Sequence, residues 1–316
     1  MGLGKSSGRD HLMTLKAPEA TLKAFKAYEA VRHRLPAAPR EGAAERAAGL
    51  LALANRFDAF VLDGFGVLNV GEAAIPGAVD AVTALQDMGK TVIVLTNAAG
   101  YPKRLLMQRY SRLGFTFDPS NVVSSREVLL HTLAGHPKQR WGVMAATRFG
   151  VEELEDYDIT FLAEDPAHYA TVDAFVLFGS SEWTPARQEL IERALKDRPR
   201  TVLVGNPDIV APVEGGMSWE PGHYAHNLAD ASGVEPVFFG KPFKAAFDTV
   251  LERIPEAIDR NRIAMVGDTL QTDVLGGLAA GIGTILVSDH GFFANADFEA
   301  GIALSGISPD YIIPTP

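Results

Sequence analysis

From residue 57 onward, short apolar runs alternate with helix-like stretches, and this alternation constrains the fold more than any other feature of the chain. The runs are Phe60-Val61-Leu62, Thr91 to Leu95, Phe175 to Phe178, Thr201 to Val204, Val237-Phe238-Phe239, Ile263 to Val266 and Thr284 to Val287. Apolar runs without internal alternation suit strands covered on both faces. Helical texture fills the intervals at 77–88, 102–113, 185–196 and 244–254. Strands alternating with helices predict right-handed βαβ units around a parallel sheet, hence an α/β fold with a doubly wound parallel-sheet core. Repeats and low-complexity tracts are absent.

Upstream, Leu15, Leu22, Phe25, Tyr28 and Val31 form one helical stripe that ends at Leu35-Pro36. A second helix is predicted over 43–55. Residues 1–45 read as a helical leader that packs rather than catalyses. Met13 is an alternative start, which would make the first dozen residues a flexible or non-native extension.

Several runs end in reactive or polar residues: Asp63, Thr96-Asn97, Asn206-Pro207-Asp208, Gly240-Lys241 and Gly267-Asp268. Ligands of open α/β sheets bind outside the carboxyl ends of the strands, so these endings define a candidate site. Asp63, followed by Gly64-Phe65-Gly66, can present a carboxylate nucleophile able to form an aspartyl-phosphate; it can equally open a turn. Thr96 and Asn97, entering a helix, offer a hydroxyl and N–H groups to a phosphate, or simply cap the helix. Lys241, fixed in extended geometry by Pro242, is a compact point charge for a phosphoryl oxygen, although most lysines are only solvated. In Gly267-Asp268-Thr269-Leu270-Gln271-Thr272-Asp273, two carboxylates five positions apart follow a buried run. Mg²⁺ takes one or two carboxylates plus water and phosphate oxygens, which casts Asp268 as a ligand and Asp273 as the residue that orients its loop.

Composition narrows the chemistry. The 316 residues include no cysteine, which removes disulfides, thiolate metal sites and a cysteine nucleophile. A net charge of −10 argues against nucleic acid as a partner and requires local positive charge, from lysine or metal, if the substrate is anionic. No apolar run is long enough for a membrane span, and the polar N-terminus is no secretory signal, so no membrane partner is expected and cytoplasm is the default location.

In this order, the four elements resemble the signature motifs of the haloacid-dehalogenase-like (HAD) superfamily over roughly residues 55–316. The resemblance implies a Rossmann-like core, an Asp63 nucleophile, phosphate contacts from Thr96, Asn97 and Lys241, and Mg²⁺ held by Asp63, the backbone carbonyl of Phe65 and Asp268. Only 33 positions separate Asp63 from Thr96, whereas 145 separate Thr96 from Lys241, far more than one crossover needs. An inserted α/β cap over 125–233 accounts for the excess, leaving 46–124 and 234–316 as the core. That placement resembles subfamily IIA, the NagD-like phosphatases of sugar phosphates, nucleotides and pyridoxal phosphate with a C2-type cap. Within the cap, Asn206, Asp208, His223 and Tyr224 are candidates for substrate selection; Trp219 reads as cap core.

The chain departs from the family at Phe65, where the phosphatases carry a second Asp as general acid and base. An aromatic ring transfers no proton, although the backbone carbonyl survives for metal binding. The dehalogenases also have an aromatic there but lack Mg²⁺ dependence, and a subgroup of IIA sequences shares the feature. The expected activity is Mg²⁺-dependent hydrolysis of a small phosphorylated metabolite. The alternative is a catalytically weak relative that binds such a metabolite as a sensor or partner protein. Homodimerisation is left open.

Overall fold

The computed structural model describes residues 12–13, 17–213, 216–294 and 296–316. The first eleven residues, most of the extension ahead of the alternative start, lie outside the described residues.

The apolar runs become strands of two parallel sheets. Seven strands form the larger, in the order β2 (Glu45–Arg46), β17 (Tyr311–Ile313), β16 (Gly283–Val287), β15 (Ile263–Gly267), β3 (Ala59–Leu62), β6 (Thr91–Thr96) and β7 (Val122–Ser124). Every neighbouring pair is parallel. The pleat explains why the runs do not alternate. Phe60, Leu62, Val92, Val94, Ala264 and Val266 enter one core cluster, with Leu85 of α2 (Ala78–Asp87) and Leu106 of α3 (Lys103–Arg112). Their neighbours Ala59, Val61, Ile93, Leu95, Ile263 and Met265 enter another, with Leu129 of α4 (Ser125–Ala134) and Phe247 of α8 (Lys244–Leu251). Both faces are covered, so every position is apolar.

The smaller parallel sheet has the order β14 (Val237–Phe238), β11 (Val202–Val204), β10 (Ala174–Leu177), β8 (Trp141–Met144) and β9 (Ile159–Phe161). Tyr169 of α5 (Pro166–Thr171), Ile191 and Leu195 of α6 (Pro185–Asp197) and Leu228 of α7 (Pro221–Ser232) pack on Phe175, Leu177 and Val204. The run at 237–239 thus joins the edge of this sheet through β11, and Lys241 follows from that edge. Two antiparallel units complete the β structure: β4 (Asn69–Val70) with β5 (Ala73–Ala74), and β1 (Leu12–Met13) beside β13 (Gly216–Trp219) and β12 (Val210–Val213).

Leader helix α1 (Ala17–Ala30) buries Ala20, Ala24, Phe25 and Tyr28 against Ile209, Leu270, Val274 and Phe292. The Tyr28 hydroxyl accepts the Ile209 N–H at 3.1 Å, and Gln271 donates to Glu29 at 2.9 Å. A short helix, α9 (Leu275–Ala279), and α10 (Phe298–Ser305) finish the chain. The helix expected over 43–55 does not form. Glu45–Arg46 instead extends the free edge of β17, and Leu50–Leu53 makes one 3₁₀ turn that buries Leu50 and Leu53. An unpaired sheet edge outweighs the helix propensity of an alanine-rich segment.

Candidate active site

The carboxyl ends of the two parallel sheets open onto one cavity of about 620 Å³. One side, the floor, comes from the larger sheet: Asp63, Gly64 and Phe65 after β3, and Thr96 and Asn97 at the end of β6. The facing wall comes from the loops after β8, β10 and β11 and from the end of β13, including Arg148, Ser180, Asn206, Asp208, Ser218 and Glu220.

Directly beneath the floor, Asp63, Asp268 and Asp273 bring carboxylate oxygens within 4.8 Å of one another. Lys241, almost fully buried, sits 2.7 Å from Asp63 Oδ1 and 2.7 Å from Asp273 Oδ1. Burial alone would depress its ammonium, but Asp273 and Asp63 raise its pKa overall, so it stays charged. Asp63 Oδ1 also accepts the Gly64 N–H at 2.6 Å. Burial pushes the Asp63 pKa up to about 7; Lys241 opposes that shift and Asp273 adds to it. Burial likewise raises Asp268, with Asp273 and Asp63 adding to the shift. Asp268 accepts from the Thr269 hydroxyl at 3.0 Å and the Phe292 N–H at 2.6 Å. Asp273 Oδ2 accepts the Thr269 N–H at 3.1 Å, tying down the loop that carries Asp268.

Two glycines permit this convergence. Gly66 and Gly291 have φ of +79° and +64°, and a Cβ on either would lie 2.2 and 1.8 Å from Asp268 Oδ2. Only glycine allows both loops to close on that carboxylate.

Three carboxylates facing one ammonium leave the pocket short of positive charge. All the donors are hard oxygens, the set Mg²⁺ prefers. The residues present therefore fit a divalent cation of that kind.

Thr96 Oγ1 accepts the Ala98 N–H at 3.3 Å and also bonds the Tyr110 hydroxyl. The Asn97 side chain is committed elsewhere. Its Oδ1 accepts the Lys241 N–H at 2.8 Å, while its Nδ2 donates to the Lys241 carbonyl at 3.0 Å and to Asp208 Oδ1 at 2.8 Å. Asn97 thus fastens floor to wall. Beyond it, Asn206 Oδ1 accepts the Asp208 N–H at 2.9 Å and Asn206 Nδ2 donates to Glu220 Oε2 at 3.2 Å. Glu220 Oε1 accepts from Ser218 Oγ at 2.6 Å, and Ser180 bonds the same carboxyl group. Burial pushes both Asp208 and Glu220 up to about 7.

Of the cap residues singled out in the sequence, Asn206 and Asp208 line the cavity. His223 and Tyr224 do not. His223 stacks on Trp219 with ring centroids 4.0 Å apart, and Tyr224 on Trp183 at 4.5 Å. Burial lowers the His223 pKa to about 4, so it is neutral at ordinary pH. Tyr110, Ser180 and Glu220 are cavity residues that sequence reasoning missed. The Pro-Gly turn that drew attention to 223 and 224 is preceded directly by Glu220, which was the available signal.

Comparison with known proteins agrees with this arrangement. Residues 60–160 match the family described as haloacid dehalogenase-like hydrolase, and residues 238–315 match the family described as HAD-hydrolase-like. The chain is 28% identical over 305 residues to glycerol-3-phosphate phosphatase of Homo sapiens, covering 85% of this chain and 91% of that one. A possible sugar phosphatase of the HAD superfamily from Cytophaga hutchinsonii superposes with a TM-score of 0.74 at 24% identity, covering 86% of this chain and 98% of that one. NagD from E. coli K-12 superposes at 0.64 and 21% identity, covering 82% and 96%.

Proposed function

The chain belongs to the haloacid-dehalogenase-like hydrolases, and from that premise we propose that it is a Mg²⁺-dependent phosphatase of a small phosphate ester, working through an aspartyl-phosphate on Asp63. The observation that carries this reading is Asp63 itself, exposed to the cavity yet held 2.7 Å from the buried ammonium of Lys241. A carboxylate so fixed has one oxygen aimed by Lys241 and the Gly64 N–H and the other free to attack.

Asp63, Asp268 and the Phe65 carbonyl would hold Mg²⁺, with Asp273 orienting the Asp268 loop. Bound there, the cation would neutralise phosphoryl charge. Thr96, through its hydroxyl, and Asn97, through its backbone N–H, would receive phosphate oxygens, and Lys241 would favour the ionised form of the nucleophile and orient it. Residues from 125 through β14 act as the cap in this reading, a few residues past the expected boundary at 233 because Val237–Phe238 pairs with β11, and their loops close the cavity over the leaving group. Similarity to a glycerol-3-phosphate phosphatase favours a small ester with an alkyl leaving group. A cytoplasmic location goes with such a metabolite; among the described residues no helix is long and apolar enough to cross a membrane.

Hydrolysis of p-nitrophenyl phosphate with and without Mg²⁺, followed by a panel of sugar, polyol, nucleotide and pyridoxal phosphates, tests the reading. Turnover that requires Mg²⁺ is the expected result. Tight binding of a panel member without turnover of any ester would replace the enzyme with the sensor.

A further inference from the structure

An alkyl phosphate releases an alkoxide, which needs a proton as the P–O bond breaks. In-line displacement places the leaving oxygen on the side of phosphorus away from the nucleophile. With Phe65 in the place of the family's usual acid, a donor on the wall across the cavity is the alternative. Phe65, two positions after Asp63, has none to give, and the Tyr110 phenol lies on the floor side against Thr96.

Two carboxyl groups line that wall, Asp208 and Glu220. Asp208 takes a hydrogen bond from Asn97 Nδ2, which favours its ionised form, and Lys241 acts on it in the same sense. Glu220 likewise accepts bonds that favour its ionised form, from two hydroxyls and an amide: Ser218, Ser180 and Asn206. The cavity's cations are not among them. Glu220 precedes helix α7 directly, but its side chain accepts no N–H of that helix; it turns into the wall.

We propose that Glu220 is the catalytic acid of this site, protonating the leaving oxygen of an alkyl phosphate ester attacked by Asp63. The inference rests on the phosphatase reading above. In the first step an Asp63 oxygen forms a bond to phosphorus, the ester P–O bond breaks, and the departing oxygen takes the Glu220 carboxyl proton, leaving as the alcohol. In the second, the Glu220 carboxylate takes a proton from water while the water oxygen bonds phosphorus. The Asp63–phosphorus bond breaks, inorganic phosphate leaves, and Glu220 is again protonated. A burial-raised pKa of about 7 lies near the operating pH, so a substantial share of the group carries the proton a general acid donates. Asp208, linked to it through Asn206, is the titratable group that faces it.

The test compares p-nitrophenyl phosphate, whose phenolate leaves without help, with butyl phosphate, whose alkoxide needs a proton and which carries no hydroxyl to be recognised. Glu220→Gln keeps the shape and should lower kcat/KM for butyl phosphate by about 10²-fold or more, within the usual worth of a positioned acid. The loss on the aryl ester should be at least ten times smaller. Glu220→Asp should recover part of the alkyl activity. Wild-type alkyl turnover should fall as pH rises through about 7, and that limb should vanish in Glu220→Gln. Asp208→Asn, by contrast, should slow both esters alike. Equal losses on the two esters in Glu220→Gln, or no loss, overturn the assignment. Absence of aryl turnover in the wild type would instead sink the phosphatase reading beneath it.

Discussion

Floor and wall of the cavity both bury carboxylates, yet they surround them with different partners. On the floor, Asp63, Asp268 and Asp273 crowd around one ammonium, an arrangement that a divalent cation would complete in the proposed mechanism. On the wall, Glu220 accepts bonds from hydroxyls and an amide with no cation among them, and burial pushes its pKa up to about 7. In the proposed mechanism the same functional group serves as nucleophile and metal ligand in one place and as acid in the other. Burial raises the carboxyl pKa on both sides, so the difference lies in the partners: an ammonium on the floor, hydroxyls and an amide on the wall.

The contrast breaks most visibly at Asp63. Asp63→Asn should cut turnover of every ester by roughly 10³-fold or more, while circular dichroism and Tm remain those of a folded protein. Retained activity in steady-state assays would remove the floor from the chemistry.

Metal affinity sharpens the floor side. Asp268→Ala should weaken Mg²⁺ binding strongly, whereas Asp273→Ala should cost about 10–100-fold, the usual effect of a residue that orients a ligand. Calorimetric titration that found the larger loss in Asp273→Ala would reverse the assigned roles.

Stability against pH sharpens the wall side. Glu220 has a folded pKa of about 7 and an ordinary value of 4.5. Between those values the folded state binds more protons than the unfolded chain, so stability falls as pH rises. Asp63 and Asp208, raised likewise, add to the slope. Glu220→Gln should flatten its share of the decline in Tm between pH 5 and about 7. An unchanged profile would mean that the Glu220 carboxyl is ionised at neutral pH.

The smallest expected effect concerns the leader helix that backs the wall. Tyr28→Phe leaves the Ile209 N–H without its acceptor, a loss of about 1–3 kcal/mol for a buried donor. Urea unfolding should show that loss, with kcat/KM for the aryl ester changed much less.

Floor residues were legible in the sequence because each closes an apolar run: Asp63, Thr96 and Asp268 stand where β3, β6 and β15 end. Wall residues carry no such mark. Ser180 lies in an ordinary Gly-Ser-Ser loop, and Glu220 follows a hairpin strand of mixed polarity. His223 and Tyr224 looked equally suited to the cavity, but α7 carries them onto Trp219 and Trp183. Strand β8 also escaped the apolar-run pattern, because Gly142 interrupts it. That glycine is required by packing, since a Cβ there would lie 2.9 Å from the Phe175 ring. Long-range packing decides such positions, and local pattern does not record it.

The central claim, that chemistry starts on the floor at Asp63, is tested most directly by trapping the phosphoryl group. The enzyme is mixed with Mg²⁺ and p-nitrophenyl phosphate, quenched in acid during steady-state turnover and digested, and the peptides are analysed by mass spectrometry. One phosphoryl group on the Asp63 side chain, absent from Asp63→Asn, is the result the account predicts. Turnover without a label on Asp63, or a label on any other residue, would contradict it.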